Sequence, residues 1–186
     1  MMPISGSGWE LHVVRQTVQR RPSDGKKRTV GTYRIYHDGV EQAAVALRGT
    51  VAESKPPGAN HPVNNGKRIE EGRYPVSTHQ GPRYRTIGYD PNSSSGGHRK
   101  PALLFLNTGA RVGILIHPGV NFLSSIGCFN PCTSLPNAAE PMDWDNSLRR
   151  MIAIIDDLRS FSGASFPNAN GIKLPRAQFV VDGEPN

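Results

Sequence analysis

Taken as a string of apolar and polar positions, the chain alternates over short runs and changes period once. Trp9 to Val14 and Thr32 to Tyr36 alternate in the manner of half-buried strands, with the basic, turn-rich RRPSDGKKR between them. Asp38-Gly39 is a hairpin signal of the primed-turn kind and places a partner strand within Glu41 to Val51. Tyr74 to Thr78 and Arg83 to Tyr89 read as two more strands. Ala102 to Leu106 and Val112 to Ile116 flank Asn107-Thr-Gly-Ala as a buried hairpin. The period then shifts. Trp144, Leu148, Met151, Ile152, Ile155 and Leu158 fall on one helix face, with Asp143 as N-cap, Asp145 and Arg149 as an i,i+4 pair and Ser162-Gly163 as the stop.

Three stretches carry no periodicity. Ala52 to Lys67 is a long loop punctuated by Pro-Pro-Gly and Asn-Asn-Gly, and Asp90 to Lys100 is a Gly/Ser-rich flexible loop just before the central hairpin, read first as linker slack and second as a lid. Phe166 to Asn186 holds a short apolar run at Gln178 to Val181 and is otherwise expected to wrap or dangle. The expected fold class is therefore mostly β: a mixed sheet or barrel-like sandwich with one packed C-terminal helix. A single domain over residues 1–186 is expected, with 1–30 a variable N-terminal segment and 164–186 a loop-rich tail.

Composition narrows this picture without changing it. The 186 residues suffice for a sizeable core, and 20 Gly and 16 Pro imply many turns. Residues 1–100 carry 16 Lys/Arg against 8 Asp/Glu, whereas 101–186 carry 6 against 7. The basic half suits an anionic polymer. No zinc-finger spacing or RNA-binding signature accompanies it, so no specific nucleic-acid partner is expected. No window approaches the roughly 18 apolar residues of a membrane span, and the first residues lack a charged n-region followed by an apolar h-region. Nucleophile-elbow, Walker and dinucleotide motifs are absent.

The candidate chemistry lies between Pro101 and Pro131. Acyl transfer by a thiol needs a thiolate, a base near its proton and donors aimed at the developing oxyanion. Cys128 supplies the first and His117, at the end of a core strand, the second. The N–H groups of Gly127 and Cys128 are candidates for the third, and a thiolate beside His117 is expected to have a depressed pKa. The other cysteine, Cys132, makes neither a convincing disulfide nor a metal set with Cys128, so no metal and no cofactor are expected.

This stretch resembles the catalytic motif of the L,D-transpeptidase (YkuD-type) family, a histidine followed by Ser/Thr-His-Gly-Cys-apolar-Arg/Asn, and is closer to compact relatives with a short His-to-Cys interval. His117 matches the motif histidine, Ser125 the Ser/Thr, Gly127 the glycine, Cys128 the nucleophile, Phe129 the apolar position and Asn130 the last. Ile126 replaces the family's second histidine. Upstream, Arg68-Ile-Glu-Glu-Gly-Arg-Tyr-Pro-Val76 resembles the entry into that family's sheet. The resemblance implies that fold, Cys128, His117 and Ser125 as catalytic residues, Gly127, Gly119 and Asn130 as oxyanion and substrate residues, and the peptide stems of peptidoglycan as substrate. Cys128 would attack the carbonyl next to a terminal D-amino acid, and an amine or water would resolve the thioester. Action in the periplasm or cell wall then implies export by a non-classical route, for example as an antibacterial effector with a cognate immunity or secretion partner, or as a phage product. Confinement to the cytoplasm is the alternative. The rival from another class is a wall-binding or structural module on the same fold without chemistry.

Overall fold

The computed structural model describes residues 3–186. Eleven strands and one α-helix follow in the order β1 (Trp9–Arg20), β2 (Lys27–His37), β3 (Val40–Glu41), β4 (Arg48–Glu53), β5 (Gly72–Thr78), β6 (Tyr84–Arg85), β7 (Lys100–Pro101), β8 (Leu103–Phe105), β9 (Leu115–Ile116), β10 (Asn130–Cys132), α1 (Trp144–Ser162) and β11 (Lys173–Asp182). The protein is mostly β, as the alternating runs predict.

Nine strands form one mixed sheet in the order β10-β4-β2-β1-β11-β5-β8-β9, with β3 paired to β2 and β6-β7 a separate pair. The Asp38-Gly39 turn predicted from sequence joins β2 to β3, both residues at positive φ. The two ends of the sheet then meet. Ile116 at the end of β9 forms a parallel bridge with Phe129, the residue before β10, so the sheet closes on itself nearly into a barrel. Phe105 of β8 stacks inside it on Phe179 of β11 at 3.8 Å and on Phe129 at 4.9 Å. Aromatic area buried in this way ties the last strand, the hairpin and the closing bridge into one core.

The helix matches its sequence signals. Asp143 caps it by accepting from the Asn146 N–H, Gly163 ends it, and Leu148, Met151, Ile155 and Leu158 join the core with Ile154, whereas Ile152 is only half-buried. Asp145 and Arg149 form no ion pair among the described residues.

One expectation about the chain ends needs correction. Residues 173–182 are not a loose tail: β11 is central, parallel to β1 from Trp9↔Ala177 to Val14↔Asp182 and antiparallel to β5. At the other end, the strand read over Trp9 to Val14 is present, extends to Arg20 and lies in the middle of the sheet. In β11 Pro175 and the positive φ of Arg176 break the ladder, and the register shifts between Lys173 and Gln178. That bulge hides the alternation a strand would otherwise present. The predicted strand 83–89 also contracts to two residues.

Candidate active site

The closing bridge fixes where the candidate residues point. His117 donates its N–H to Phe129 O at 3.0 Å and Phe129 donates to Leu115 O at 2.8 Å. Side chains alternate across a strand, and Ile116 and Phe129 are both turned into the core at 0 % exposure. Leu115, His117, Cys128 and Asn130 therefore share the opposite face. The hairpin β8–β9 and the loop 118–128 thus bring an imidazole and a thiol from eleven residues apart to one patch at the seam of the sheet.

His117 is 2 % exposed, with its Nδ1 2.8 Å from Pro118 O. A carbonyl only accepts, so Nδ1 carries the proton and Nε2 is the basic nitrogen. Asn130 donates from Nδ2 to His117 O at 3.0 Å, and the Tyr84 ring lies 4.4 Å from the imidazole. Burial, opposed by the Pro118 bond and aided by the charge of Lys100, pushes the His117 pKa down to about 4. The imidazole is neutral at pH 7, the form a general base requires.

Cys128 is half-buried, and its Sγ accepts from Leu115 N at 3.3 Å. Burial raises its pKa against the pull of that N–H and of Arg111. The depressed thiol expected from sequence is thus reversed: the resting pair is neutral thiol and neutral imidazole. No hydrogen bond joins the two side chains among the described residues. Tyr84 borders both, since its ring lies tilted against that of His117 and its phenol pKa is raised by burial and then by the Cys128 charge. Cys132 is a buried free thiol pushed up to about 12 by burial.

The remaining candidates occupy the site with altered parts. Gly127, at φ +105°, donates its N–H to Ser54 Oγ at 2.8 Å, so that N–H is already engaged. The Cys128 N–H has no acceptor among the described residues and is the donor left for an oxyanion. A Cβ on Gly127 would meet Arg111 Nη2, whose guanidinium packs against this turn. Ser125 does not reach the imidazole. Its hydroxyl donates to Cys128 O at 3.0 Å, with Asn130 Oδ1 at 3.4 Å, and Pro118 O and Asn130 do the orienting expected of it. Asn130 is fully buried behind His117, and Gly119 makes room for it, since a Cβ there would lie 2.6 Å from Asn130 Cβ.

Several participants escaped the sequence. Pro118 acts through its carbonyl, which no motif marks. Ser54 holds the Cys128 loop from below, accepting from Gly127 N and donating to Ser125 O at 3.2 Å. Its own carbonyl accepts from Thr29 Oγ1 at 2.7 Å, and Thr29 accepts from Arg68 at 2.9 Å. Arg15 forks onto Glu53 next door at 2.9 and 2.8 Å. Part of the basic excess is therefore internal: Arg15, Arg28, Arg68 and Arg111 are each 5 % exposed or less. Arg111 bonds only to carbonyls, those of Ala59 and Ile126. Tyr84, on a two-residue strand, has too little pattern around it to be noticed.

Two openings flank the seam. On the sulfur side a cavity of about 550 Å³ is lined by Arg111 and rimmed by the exposed Val63, Val112 and Ile126. On the imidazole side a cleft of about 280 Å³ is lined by Tyr84, Lys100, Pro118 and Trp144. Among the described residues no group of three or more His, Cys, Asp or Glu side chains is placed to hold a metal, and no helix is long and apolar enough to cross a membrane.

No family model matches the chain, and no curated protein or solved structure is significantly similar to it.

Proposed function

We propose that the chain is a cysteine acyltransferase acting on the peptide stems of peptidoglycan, with Cys128 as nucleophile and His117 as base. The observation that carries this is the placement of both side chains on one face of the sheet seam, with the His117 tautomer set by Pro118 O. The motif resemblance of 112–130 supplies the substrate class.

The cycle follows from the chemistry of these groups. The Cys128 thiol gives its proton to His117 Nε2 as a carbonyl carbon approaches, and the Leu115 N–H steadies the developing thiolate. Sulfur adds to the carbonyl, and the Cys128 N–H donates a hydrogen bond to the charge that grows on oxygen. The imidazolium then protonates the departing amine and a thioester remains. An incoming amine or water loses its proton to Nε2, attacks the thioester and expels the sulfur, which takes that proton back from Nε2. Transfer to an amine is cross-linking or exchange of the terminal D-amino acid; transfer to water is L,D-carboxypeptidase action. General-base help of this kind contributes about 10²- to 10⁴-fold. Action on the wall would set the protein in the periplasm or cell wall, with an effector role and a cognate immunity or secretion partner as the biological setting.

Incubation of purified muropeptides with the protein, read by mass spectrometry, tests this. Loss or exchange of the terminal residue of tetrapeptide stems is expected with the wild type and not with Cys128→Ser. Unchanged stems under every condition with folded wild-type protein would contradict it.

A further inference from the structure

We propose that the cleft on the imidazole side of the seam is the acceptor subsite of this transfer, and that Lys100 makes it select an amine that also carries a carboxylate, that is, an amino acid. The inference rests on the acyl-transfer function proposed above and names the second substrate of the same site.

Lys100 is an unusual lysine. It is 4 % exposed, yet it takes part in no ion pair among the described residues. Its Nζ donates to one acceptor, Ser95 O at 2.6 Å, and lies 5.1 Å from the Tyr84 ring and 5.6 Å from the Trp144 ring. An ammonium has three donors, so two remain. A buried charge without a counter-ion is costly, and an anion arriving in the cleft would offset that cost. The walls agree. Arg83, Tyr84, Ser124 and Trp144 line the cleft with Lys100, and no Asp or Glu does. Arg83 is close enough to lower the Lys100 pKa further, after burial itself, so the cleft holds two cations and no carboxylate.

Its location gives the anion a role. Tyr84 is at once a wall of this cleft and the ring tilted against His117, and Pro118 is both a wall and the residue whose carbonyl fixes the tautomer. A carboxylate held at Lys100 therefore brings whatever is bonded to it against the base. For an amino acid that group is the amine. The step balances: the amine nitrogen forms a bond to the thioester carbon while one amine proton passes to His117 Nε2. The carbon–sulfur bond then breaks, and the proton returns from Nε2 to the Cys128 sulfur. Of the titratable groups around His117, Tyr84 lies against its ring and the charge of Lys100 depresses its basicity. A carboxylate beside Lys100 neutralises that field, so acceptor binding also makes the imidazole a better base at the moment it is needed.

The test is a titration of the purified full chain with D-alanine and with D-alaninamide, followed by the His117 imidazole resonances and by calorimetry. D-Alanine is expected to bind the wild type about 10- to 100-fold more tightly than D-alaninamide and to raise the His117 pKa. Lys100→Met is expected to lose that preference and Lys100→Arg to retain it. Equal binding of the two ligands, absence of D-alanine binding, or full preference in folded Lys100→Met would overturn the subsite. The two-ligand comparison on the wild type stands even if Lys100→Met fails to fold. A parallel mass measurement of Cys128 acylation by tetrapeptide muropeptides separates the two claims. Acylation without D-alanine selectivity removes the subsite and leaves the transferase, whereas selectivity without acylation removes the stem substrate and leaves the amino-acid site.

Discussion

The bridge between Ile116 and Phe129 both closes the sheet and aligns the candidate dyad. Because these two residues fill the core, their neighbours His117 and Cys128 must turn to the other face, and the site inherits the rigidity of the barrel wall at its last joint. A slip of one residue at this bridge would send the thiol or the imidazole inward.

Ser54 is expected to matter although it contacts no reacting atom. Ser54→Ala leaves the Gly127 N–H without its acceptor, which costs about 1–3 kcal/mol if that group stays dry. Displacement of the loop by about 1 Å lowers turnover on the order of 10²-fold. Chemical denaturation with a kinetic assay checks both, and an activity equal to wild type would show that the loop holds itself.

Acid should destabilise the fold through His117. Its pKa falls from 6.5 in the unfolded chain to about 4 in the folded one, so the neutral form is the one the fold prefers. The contribution is fully present above pH 6.5 and is lost as pH falls through 4, up to on the order of 3 kcal/mol at 1.36 kcal/mol per unit. His12 is shifted in the same direction by burial. Stability measured from pH 7 to 4 is expected to fall more steeply in the wild type than in His117→Gln. Parallel curves would mean that the imidazole is not buried neutral.

The last strand gives a test of topology. A chain ending at residue 172 loses β11, and with it the partner of both β1 and β5 and the Phe105–Phe179 stack. It is expected to show no cooperative unfolding transition in near-ultraviolet circular dichroism. A cooperative transition like that of the full chain would return the segment to the status of a tail.

The two thiols should react unequally. Cys128 is half-buried and Cys132 is buried with its pKa near 12. Iodoacetamide at pH 8, with peptide mapping, is expected to label Cys128 first, and equal labelling would contradict the described burial.

The mostly β class, the Asp38-Gly39 hairpin, the capped helix and the Cys/His pair were legible because each depends on local period or local spacing. β11 was not, because a proline and a bulge at Arg176 interrupt its alternation and its partner β1 lies more than 150 positions away. The roles inside the site were legible only in part. Residue types announced a thiol and a base, but the orienting acceptor is a backbone carbonyl at Pro118 and the loop support is a serine from another strand end. The sign of the Cys128 shift also turns on burial, which spacing does not reveal.

The central claim is that Cys128 forms a thioester, and intact-mass spectrometry of the protein quenched in acid after mixing with tetrapeptide muropeptide tests it most directly. Wild type and Cys132→Ser are expected to gain the mass of the stem less its terminal D-amino acid, mapped to Cys128, and Cys128→Ser to gain none, with folding verified for each by circular dichroism. Stem cleavage by Cys128→Ser at the wild-type rate, or an adduct mapped to any residue other than Cys128, would contradict the account.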